Sequence, residues 1–571
     1  MGSVFLFCLC LRLVNALLLR TAFAPDEFWQ GPEVAHRLVF GCATGAAAAA
    51  AAPPACRAFA DRALAPPPPA RSYGHLTWEW AAGLRGYAHP GVFAALFWLL
   101  RAAHLDFAWA VAKAPQLLQA VFAAATDAQV HRLTSVAFGR DAARWALACQ
   151  ALSWFNAYCL PRTYSSSLEA LLTALGARLL LELPFTRLAS ANAPPGSHWL
   201  WRAAAEARWV AAAAACVLVR PPSALFWAAV AAHQVAAAPS AGARRRLLAA
   251  GAILGGGALA AGAALDRLAY GRWVFAPWEF ARFNLFAGGS AIYGAHPWHW
   301  NFLAGFPAML ASLLPLVAAG LWRLPPSQRP LAYLVALQLG VYSLPAHKEF
   351  RFLLPALQLA MPLAGLGAQR LWWPPSRGAS RQGAAQRRLV AACLALQLPL
   401  LAYFLLLHGR GQVAVMELVR GWAARQPSAA DASVLFLTPC HATPYFAHVH
   451  RPLPLRFLDC SPPGWAPAVA ALNADATAWL RLPDPCPLAA PGEALTERAC
   501  FERAPADYLE RVLRLNARRR PALVVGYAPA MAELAGVLGR HGYAPRAALL
   551  NCLVQTDGDA ACSIEAWERG V

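Results

Sequence analysis

The sequence predicts an all-α polytopic membrane protein of about eleven transmembrane helices, followed by a small C-terminal α/β domain. Three observations predict it. The 571 residues are 59% hydrophobic and only 14% charged, which is too apolar for an ordinary soluble globule. Apolar segments recur as far as residue 407, most of them close to the roughly 20 residues that a hydrocarbon core requires. From 409 onward the chain becomes more polar and strand-like runs replace the apolar ones.

The apolar segments run near 4–20, 107–126, 142–160, 165–182, 208–219, 222–238, 247–265, 303–322, 330–346, 351–369 and 387–407. The first has no basic residues before it and no small-residue cleavage site ahead of "PDE", so it reads as a retained anchor. The pair at 208–238 is one apolar region broken by "VRPPSALFW", which places Arg220 and two prolines at its middle. The run at 91–104 is short and apolar on one side, and is expected to lie along the membrane or re-enter it. Residues 43–70 are an alanine and proline tract without apolar periodicity, expected to be a disordered insertion. In the tail, "SVLFLTPC", "ALVVGY" and "AALLNCLVQ" read as strands between helical stretches. The organisation is therefore a transmembrane catalytic part at 1–408, with its first luminal loop at 21–106, and a luminal domain at 409–571.

A net charge of +20 would suggest nucleic acid if it were concentrated in one domain. Here the arginines fall largely in connecting loops, so no nucleic acid partner is expected and the charge reports orientation instead. Arg244, Arg245 and Arg246 form one basic loop, and "RLWWPPSRGASRQGAAQRR" carries five arginines and no acid. Both are placed in the cytoplasm. Counting spans then puts 21–106, 266–302, the "HKEFR" turn and everything after 408 on the opposite side. Six of the 14 cysteines, Cys440, Cys460, Cys486, Cys500, Cys552 and Cys562, belong to that tail, where oxidation is possible. Spacing leaves their connectivity open.

Four stretches carry candidate chemistry. In "AFAPDEFWQ", Asp26 and Glu27 stand at a lipid boundary beside Phe28 and Trp29. A carboxylate near apolar walls makes a general base, while an interfacial aromatic belt beside a solvated loop is the plainer account. In "YGHLTWEWAAGLRGYAHP", His75, Trp78, Glu79 and Arg85 combine aromatic faces with hydrogen-bonding groups, as a sugar ring requires. In the 266–302 loop, His296 and His299 are candidates for hydrogen bonding to a glycan or phosphate. The proline in "HPWH" spoils a helical ligand face, so no metal and no cofactor are expected. In "AHKEFRF", His347, Lys348 and Arg351 offer cationic donors to a phosphate ester at headgroup level, with Glu349 orienting one of them. A snorkelling helix end is the plainer alternative. Lys348 is one of two lysines in the chain, the other being Lys113. In "TDGDAAC", Asp557 and Asp559 imitate a metal-binding DxD pair, and an Asp-Gly turn accounts for them.

"APDEFWQ", "RTYSSSLE", "GAHPWHW" and "HKEFRFLLP" resemble the dolichyl-phosphate-mannose-dependent mannosyltransferases of glycosyltransferase family 22, which have the GT-C fold. The tail motif "PCHATPYFAHVHRPLPLRFLDC" is similar to the branch that acts on the glycosylphosphatidylinositol (GPI) precursor. The resemblance implies transfer of the third mannose, in α-1,2 linkage, from dolichyl phosphate mannose to the second mannose of the GPI glycolipid intermediate, in the endoplasmic reticulum membrane with a luminal active site. It implies inversion, with Asp26 as base and Glu27 as alternate, and with His347, Lys348 and Arg351 holding the departing dolichyl phosphate. Two departures stand out: the alanine tract splits the first luminal loop, and Ser165–Ser167 replace the Thr and Asn frequent in the family. A sibling mannosyltransferase, extending the dolichol-linked oligosaccharide or adding a fourth GPI mannose, would share "PDE" and "HKE". A transporter would need matching repeats, and none is evident.

Overall fold

The computed structural model describes residues 2–41, 74–191, 198–373, 381–429, 431–462, 464–473, 479–482, 486, 494–555 and 561–570. The expected insertion at 43–70 and the Asp557/Asp559 pair lie outside them. The chain forms two compact units. One comprises Met1–Leu18, Gln116–Arg267 and Trp273–Tyr403, and the other Leu19–Pro115, Leu268–Arg272 and Phe404–Val571.

The first unit is helical, and its helices form where the sequence is apolar. Among the described residues, four runs are both long and apolar enough to cross a membrane: Ala241–Tyr270, Asn301–Leu321, Phe350–Trp372 and Gln382–Ala423. Gly2–Leu18, Arg208–Val219, Ser223–Ala236 and Pro330–Val341 are apolar but shorter. The expected break at Arg220 is present, between the helices His198–Val219 and Ser223–Ala236. The segment expected at 142–160 is divided. Arg140–Leu152 ends at Ser153, whose hydroxyl accepts the backbone N–H of Asn156 and so starts the helix Trp154–Cys159.

Burial separates lipid-facing from protein-facing helices. The run Phe350–Trp372 is 89% buried, whereas Ala241–Tyr270 is 6% buried and turns almost wholly outward. The central helix Leu354–Trp372 packs against Leu314–Leu321, Arg140–Leu152 and Ser165–Ala191. Small residues permit that closeness. A Cβ on Gly320 would lie 2.0 Å from the Leu363 carbonyl oxygen, and one on Gly367 would lie 1.9 Å from that of Leu316. Several polar groups inside this apolar body pair with one another, as a medium without water favours. Arg12 makes two hydrogen bonds to Asp127, at 2.7 and 2.9 Å. Gln150 donates to Asp127 at 3.0 Å and to Gln358 at 2.6 Å, and Gln358 donates to Asn156 at 2.8 Å.

The second unit contains the sheet. Strands β1 (Val434–Phe436), β2 (Leu455–Phe457), β3 (Leu523–Tyr527), β4 (Tyr543–Leu550) and β5 (Ser563–Arg569) lie in the order β2-β1-β3-β5-β4. The first three are parallel, and β5 runs antiparallel to both β3 and β4. Val434, Leu435 and Phe436 in β1 and Leu523 to Tyr527 in β3 are buried throughout, as strands covered on both faces should be. The helices Pro505–Leu515 and Ala528–Arg540 bring Leu509, Val512, Leu534 and Leu538 onto this sheet's core. Three disulfides join the tail cysteines in sequence order: Cys440–Cys460, Cys486–Cys500 and Cys552–Cys562. The tail shares this unit with residues 19–115. Thr21 donates its hydroxyl to the Phe404 carbonyl at 2.8 Å, and Ala22 N–H bonds to the Gly409 carbonyl at 3.0 Å. The helix Ala88–Ala102 also lies here, with Phe93 and Phe97 buried and Trp98 and Leu99 exposed.

Candidate active site

Within the second unit, "APDEFWQ" folds into the single helical turn Asp26–Trp29, with its two carboxylates in the first turn, where exposed N–H groups favour negative charge. Asp26 is half-buried and Glu27 fully buried. Trp29 fixes the turn to the tail motif. Its indole N–H donates to the Thr443 carbonyl at 3.0 Å, and its ring lies 4.6 Å from His441 and 5.2 Å from Tyr445. His441 adopts a left-handed backbone, φ +63°, directly after the disulfide-bonded Cys440. Burial lowers its pKa, against an upward pull from three carboxylates that face it, Glu79, Asp459 and Asp26. Asp26 thus belongs to an acidic group around a half-buried imidazole beside an aromatic wall.

Of the four predicted sugar residues in "YGHLTWEWAAGLRGYAHP", His75 joins that wall and Glu79 is one of its carboxylates. His75 lies 5.7 Å from the Trp29 ring and 4.8 Å from Phe457, and burial drives its pKa well below the usual histidine value. Trp78 is buried, 6.5 Å from Trp465. Glu79 accepts the hydroxyl of Thr77, two residues before it. Arg85 is placed apart from these, its carbonyl accepting the Tyr270 hydroxyl at 2.7 Å.

The remaining predicted residues belong to the first unit. The "HKEFR" turn precedes the helix Leu354–Trp372, and Glu349 organises it. Arg351 donates to both Glu349 oxygens, at 2.6 and 2.7 Å, and His347 Nε2 lies 2.8 Å from the same carboxylate. Glu349 therefore orients two donor side chains, where one was expected. Burial opposes its charge, but Arg351 and His347 prevail and hold its pKa well below the carboxylate range. Lys348, 4% exposed, points its ammonium at three carbonyls, those of His296 at 2.9 Å, Pro345 at 2.7 Å and Ala346 at 3.5 Å. Burial lowers its pKa. His347 Nδ1 meets the Gly294 carbonyl at 3.0 Å. The predicted histidines His296 and His299 are exposed in this neighbourhood, His296 stacking on Trp300 at 4.6 Å. They are grouped with the phosphate-binding candidates, whereas His75, Trp78 and Glu79 lie in the second unit with Asp26, and Arg85 lies in that unit but apart from them.

Several groups were not singled out from the sequence. Arg220, at the broken segment, pairs with Glu169 of "RTYSSSLE" at 2.9 Å and donates to Ser165 at 3.1 Å. The Tyr342 hydroxyl donates to the same Glu169. The guanidinium carbons of Arg220 and Arg351 lie 4.7 and 4.9 Å from the Phe352 ring centroid, so the pair borders the "HKEFR" turn. In the second unit, buried Glu33 accepts backbone N–H groups from Tyr445 at 2.8 Å and Ala447 at 3.1 Å. His36 Nε2 lies 3.0 Å from His450 Nδ1. Cys440, His441 and Cys460 are close enough to suggest a metal, but the two sulfurs are bonded to each other and offer no thiolate.

The family model of Alg9-like mannosyltransferases matches residues 3–44 and 69–450. The chain is 36% identical over 473 residues to "Mannosyltransferase APTG1" of Arabidopsis thaliana, covering 80% of this chain and 77% of that one. It is 32% identical over 465 residues to the "GPI alpha-1,2-mannosyltransferase 3" of Bos taurus, with 80% and 73% covered. Among solved structures, ArnT from Cupriavidus metallidurans, bound to undecaprenyl phosphate, is similar in fold at a TM-score of 0.54 and 11% identity, over 99% of this chain and 97% of that one.

Proposed function

The chain belongs to the Alg9-like mannosyltransferase family, and from that premise we propose that it transfers mannose from dolichyl phosphate mannose to the second mannose of the GPI precursor, in α-1,2 linkage. It is a glycosyltransferase. The observation that carries the acceptor is the tail motif. "PCHATPYFAHVH", the stretch similar to the GPI branch, forms the aromatic wall on which the Asp26–Trp29 turn rests.

The donor is β-linked and the product α-linked, so one displacement with inversion suffices. The acceptor hydroxyl oxygen bonds to the anomeric carbon as the bond from that carbon to the phosphate oxygen breaks, and the electron pair leaves with dolichyl phosphate. Asp26, half-open and beside the sugar-binding candidates, takes the hydroxyl proton. Glu27 is the alternate base, and its full burial favours a supporting role. His347 and Arg351 steady the charge that grows on the departing phosphate, since Glu349 holds both in place before the donor arrives. Lys348 adds its charge by exchanging a carbonyl for a phosphate oxygen.

We assign about eleven crossings of the endoplasmic reticulum membrane, with the tail and both candidate clusters luminal. Cysteine chemistry supports that side: among the described residues every disulfide lies after 408, and the free thiols Cys8, Cys10, Cys149, Cys159, Cys216 and Cys393 all precede it. Microsomes with and without the protein, supplied with radiolabelled donor, test the reaction. The expected result is loss of GPI intermediates bearing three mannoses and build-up of those bearing two. Build-up of a dolichol-linked oligosaccharide instead would reassign the acceptor.

A further inference from the structure

A cavity of about 180 Å³ lies within the second unit, walled by Trp80, Tyr87 and Tyr270 and flanked by Arg37 and Arg272. The three rings pack on one another, with Tyr87 centred 4.7 Å from Trp80 and 4.9 Å from Tyr270. They form an apolar wall. Apart from the Tyr87 and Tyr270 hydroxyls, the polar side chains of the lining are donors only. Arg37 and Arg272 carry positive charge, Trp80 is 2% exposed, and its indole N–H has no hydrogen-bond partner among the described residues. Among the described residues that line the cavity there is no carboxylate. An indole and two guanidinium groups donate and cannot accept, so they select an anion rich in acceptor oxygens.

Arg37 is set in advance. It donates to Asn473 Oδ1 and to the Leu472 carbonyl, each at 2.7 Å. Its stem lies against Gly74 (φ +150°), where a Cβ would come 2.8 Å from the Arg37 Cβ. Arg272 is exposed, with a long 3.3 Å bond to the Ala81 carbonyl and its guanidinium carbon 5.9 Å from the Tyr270 ring centroid. Ala269 and Tyr270, two lining residues, form the last turn of the apolar run Ala241–Tyr270, long enough to cross a membrane. A cationic and aromatic cavity at the end of such a helix sits where lipid headgroups lie.

We propose that this cavity holds the phosphodiester of a membrane lipid, with Arg37, Arg272 and the Trp80 indole as donors and the aromatic rings against the polyol carried by the phosphate. The phosphodiester belongs either to the acceptor glycolipid or to a phospholipid of the bilayer. The first source rests on the function proposed above; the second does not.

The test measures binding, not transfer, on the full-length protein in nanodiscs. Three probes are compared: the GPI acceptor, the same glycan after cleavage of its phosphodiester, and phosphatidylinositol. Wild type is expected to hold the intact acceptor about tenfold more tightly than the cleaved glycan, the scale of one charge-assisted contact. Loss of that preference in Arg272→Glu, with partial retention in Arg272→Lys, places the acceptor's phosphodiester in the cavity. Loss of phosphatidylinositol retention alone places a bilayer lipid there. Equal binding of all probes by wild type and Arg272→Glu overturns the proposal. Trp80→Phe, which removes only the N–H donor and part of the wall, supplies the second variant and is expected to weaken the same probe. A chain that binds as expected yet transfers no mannose would defeat the enzymatic reading and leave this one standing.

Discussion

Both carboxylate oxygens of Glu33 accept the backbone N–H of Ala447, each at 3.1 Å, across 414 residues of sequence. This contact ties the helix Pro32–Phe40, which follows the candidate base, to the tail motif. Glu33→Ala should leave those buried N–H groups without an acceptor, at about 1–3 kcal/mol each. The expected outcome is rapid amide exchange at Tyr445 and Ala447 together with reduced transfer. Slow exchange at both amides in the variant would remove Glu33 from this role.

The same contact has a pH dependence opposed by its neighbours. Burial pushes the Glu33 carboxyl up to about 7 from 4.5, against the pull of the N–H groups of Ala447, Tyr445 and Phe446. Folding therefore favours its protonated form, and stability is lost as pH rises from 4.5 through about 7. His36 runs the other way. Burial, then His450 and His448, lowers its pKa well below 6.5, so its contribution is present above 6.5 and lost on acidification. His448, lowered to about 3, and His450 act in the same sense as His36, with Asp106 opposing at His450. In wild type the two slopes offset one another between 4.5 and 6.5. Glu33→Gln should expose the histidine slope, so that amide protection near His450, corrected for intrinsic exchange, falls from pH 6.5 to 5. Protection that rises over that range would show that the histidines do not govern this dock.

Asp26→Asn is expected to fold and insert normally while lowering turnover by about two or more orders of magnitude, the usual scale for a lost general base. Glu27→Gln, at a fully buried position, should instead lower the yield of folded protein. The assay is mannose transfer per mole of protein recovered from the membrane. If the two variants exchange these phenotypes, Glu27 is the base.

Arg220→Met strands the buried Glu169 carboxylate, at a cost of about 3–5 kcal/mol for a broken buried pair. Arg220→Met combined with Glu169→Gln removes both charges and should recover much of the expression. Thermal stability in detergent separates the two. A double variant no more stable than the single one would mean that Arg220 acts through Phe352 or Ser165 and not through Glu169.

Apolar periodicity and local motifs were readable in the sequence because they depend on neighbours along the chain. The first helix, the break at Arg220 and the strands at "SVLFLTPC" and "ALVVGY" all follow from a few adjacent residues. What escaped was long-range. Nothing near Glu33 in sequence indicates that its partners lie in the tail, and Glu169 lies early in the helix Ser165–Ala191 whereas Arg220 follows the helix His198–Val219. The division at Ser153 was hidden because an apolar run reads the same whether or not one serine ends a helix within it. Strand β5 was masked by Glu565, Glu568 and Arg569, although Ile564 and Ala566 alternate inward as a strand requires.

The last prediction separates a donor site from a pinned helix end at "HKEFR". Arg351→Lys keeps the charge but loses the planar fork that reaches both Glu349 oxygens. If Arg351 and His347 meet the donor phosphate, this variant should raise the apparent KM for dolichyl phosphate mannose and lower kcat by about tenfold or more, with the KM for acceptor unchanged, because leaving-group charge grows in the transition state. Lys348 calls for a different comparison, since its ammonium is bound to three carbonyls and its loss also loosens the loop at Gly294 to His296. Lys348→Met preserves much of the stem and removes the charge, whereas Lys348→Arg preserves the charge in a wider group. A phosphate site should suffer from both at limiting donor, and saturating donor should restore part of the rate. A purely structural turn predicts lower protein yield, unchanged donor KM and no effect of donor concentration on the ratio to wild type. Full activity of Arg351→Lys and of both Lys348 variants at limiting donor would remove the phosphate from this turn.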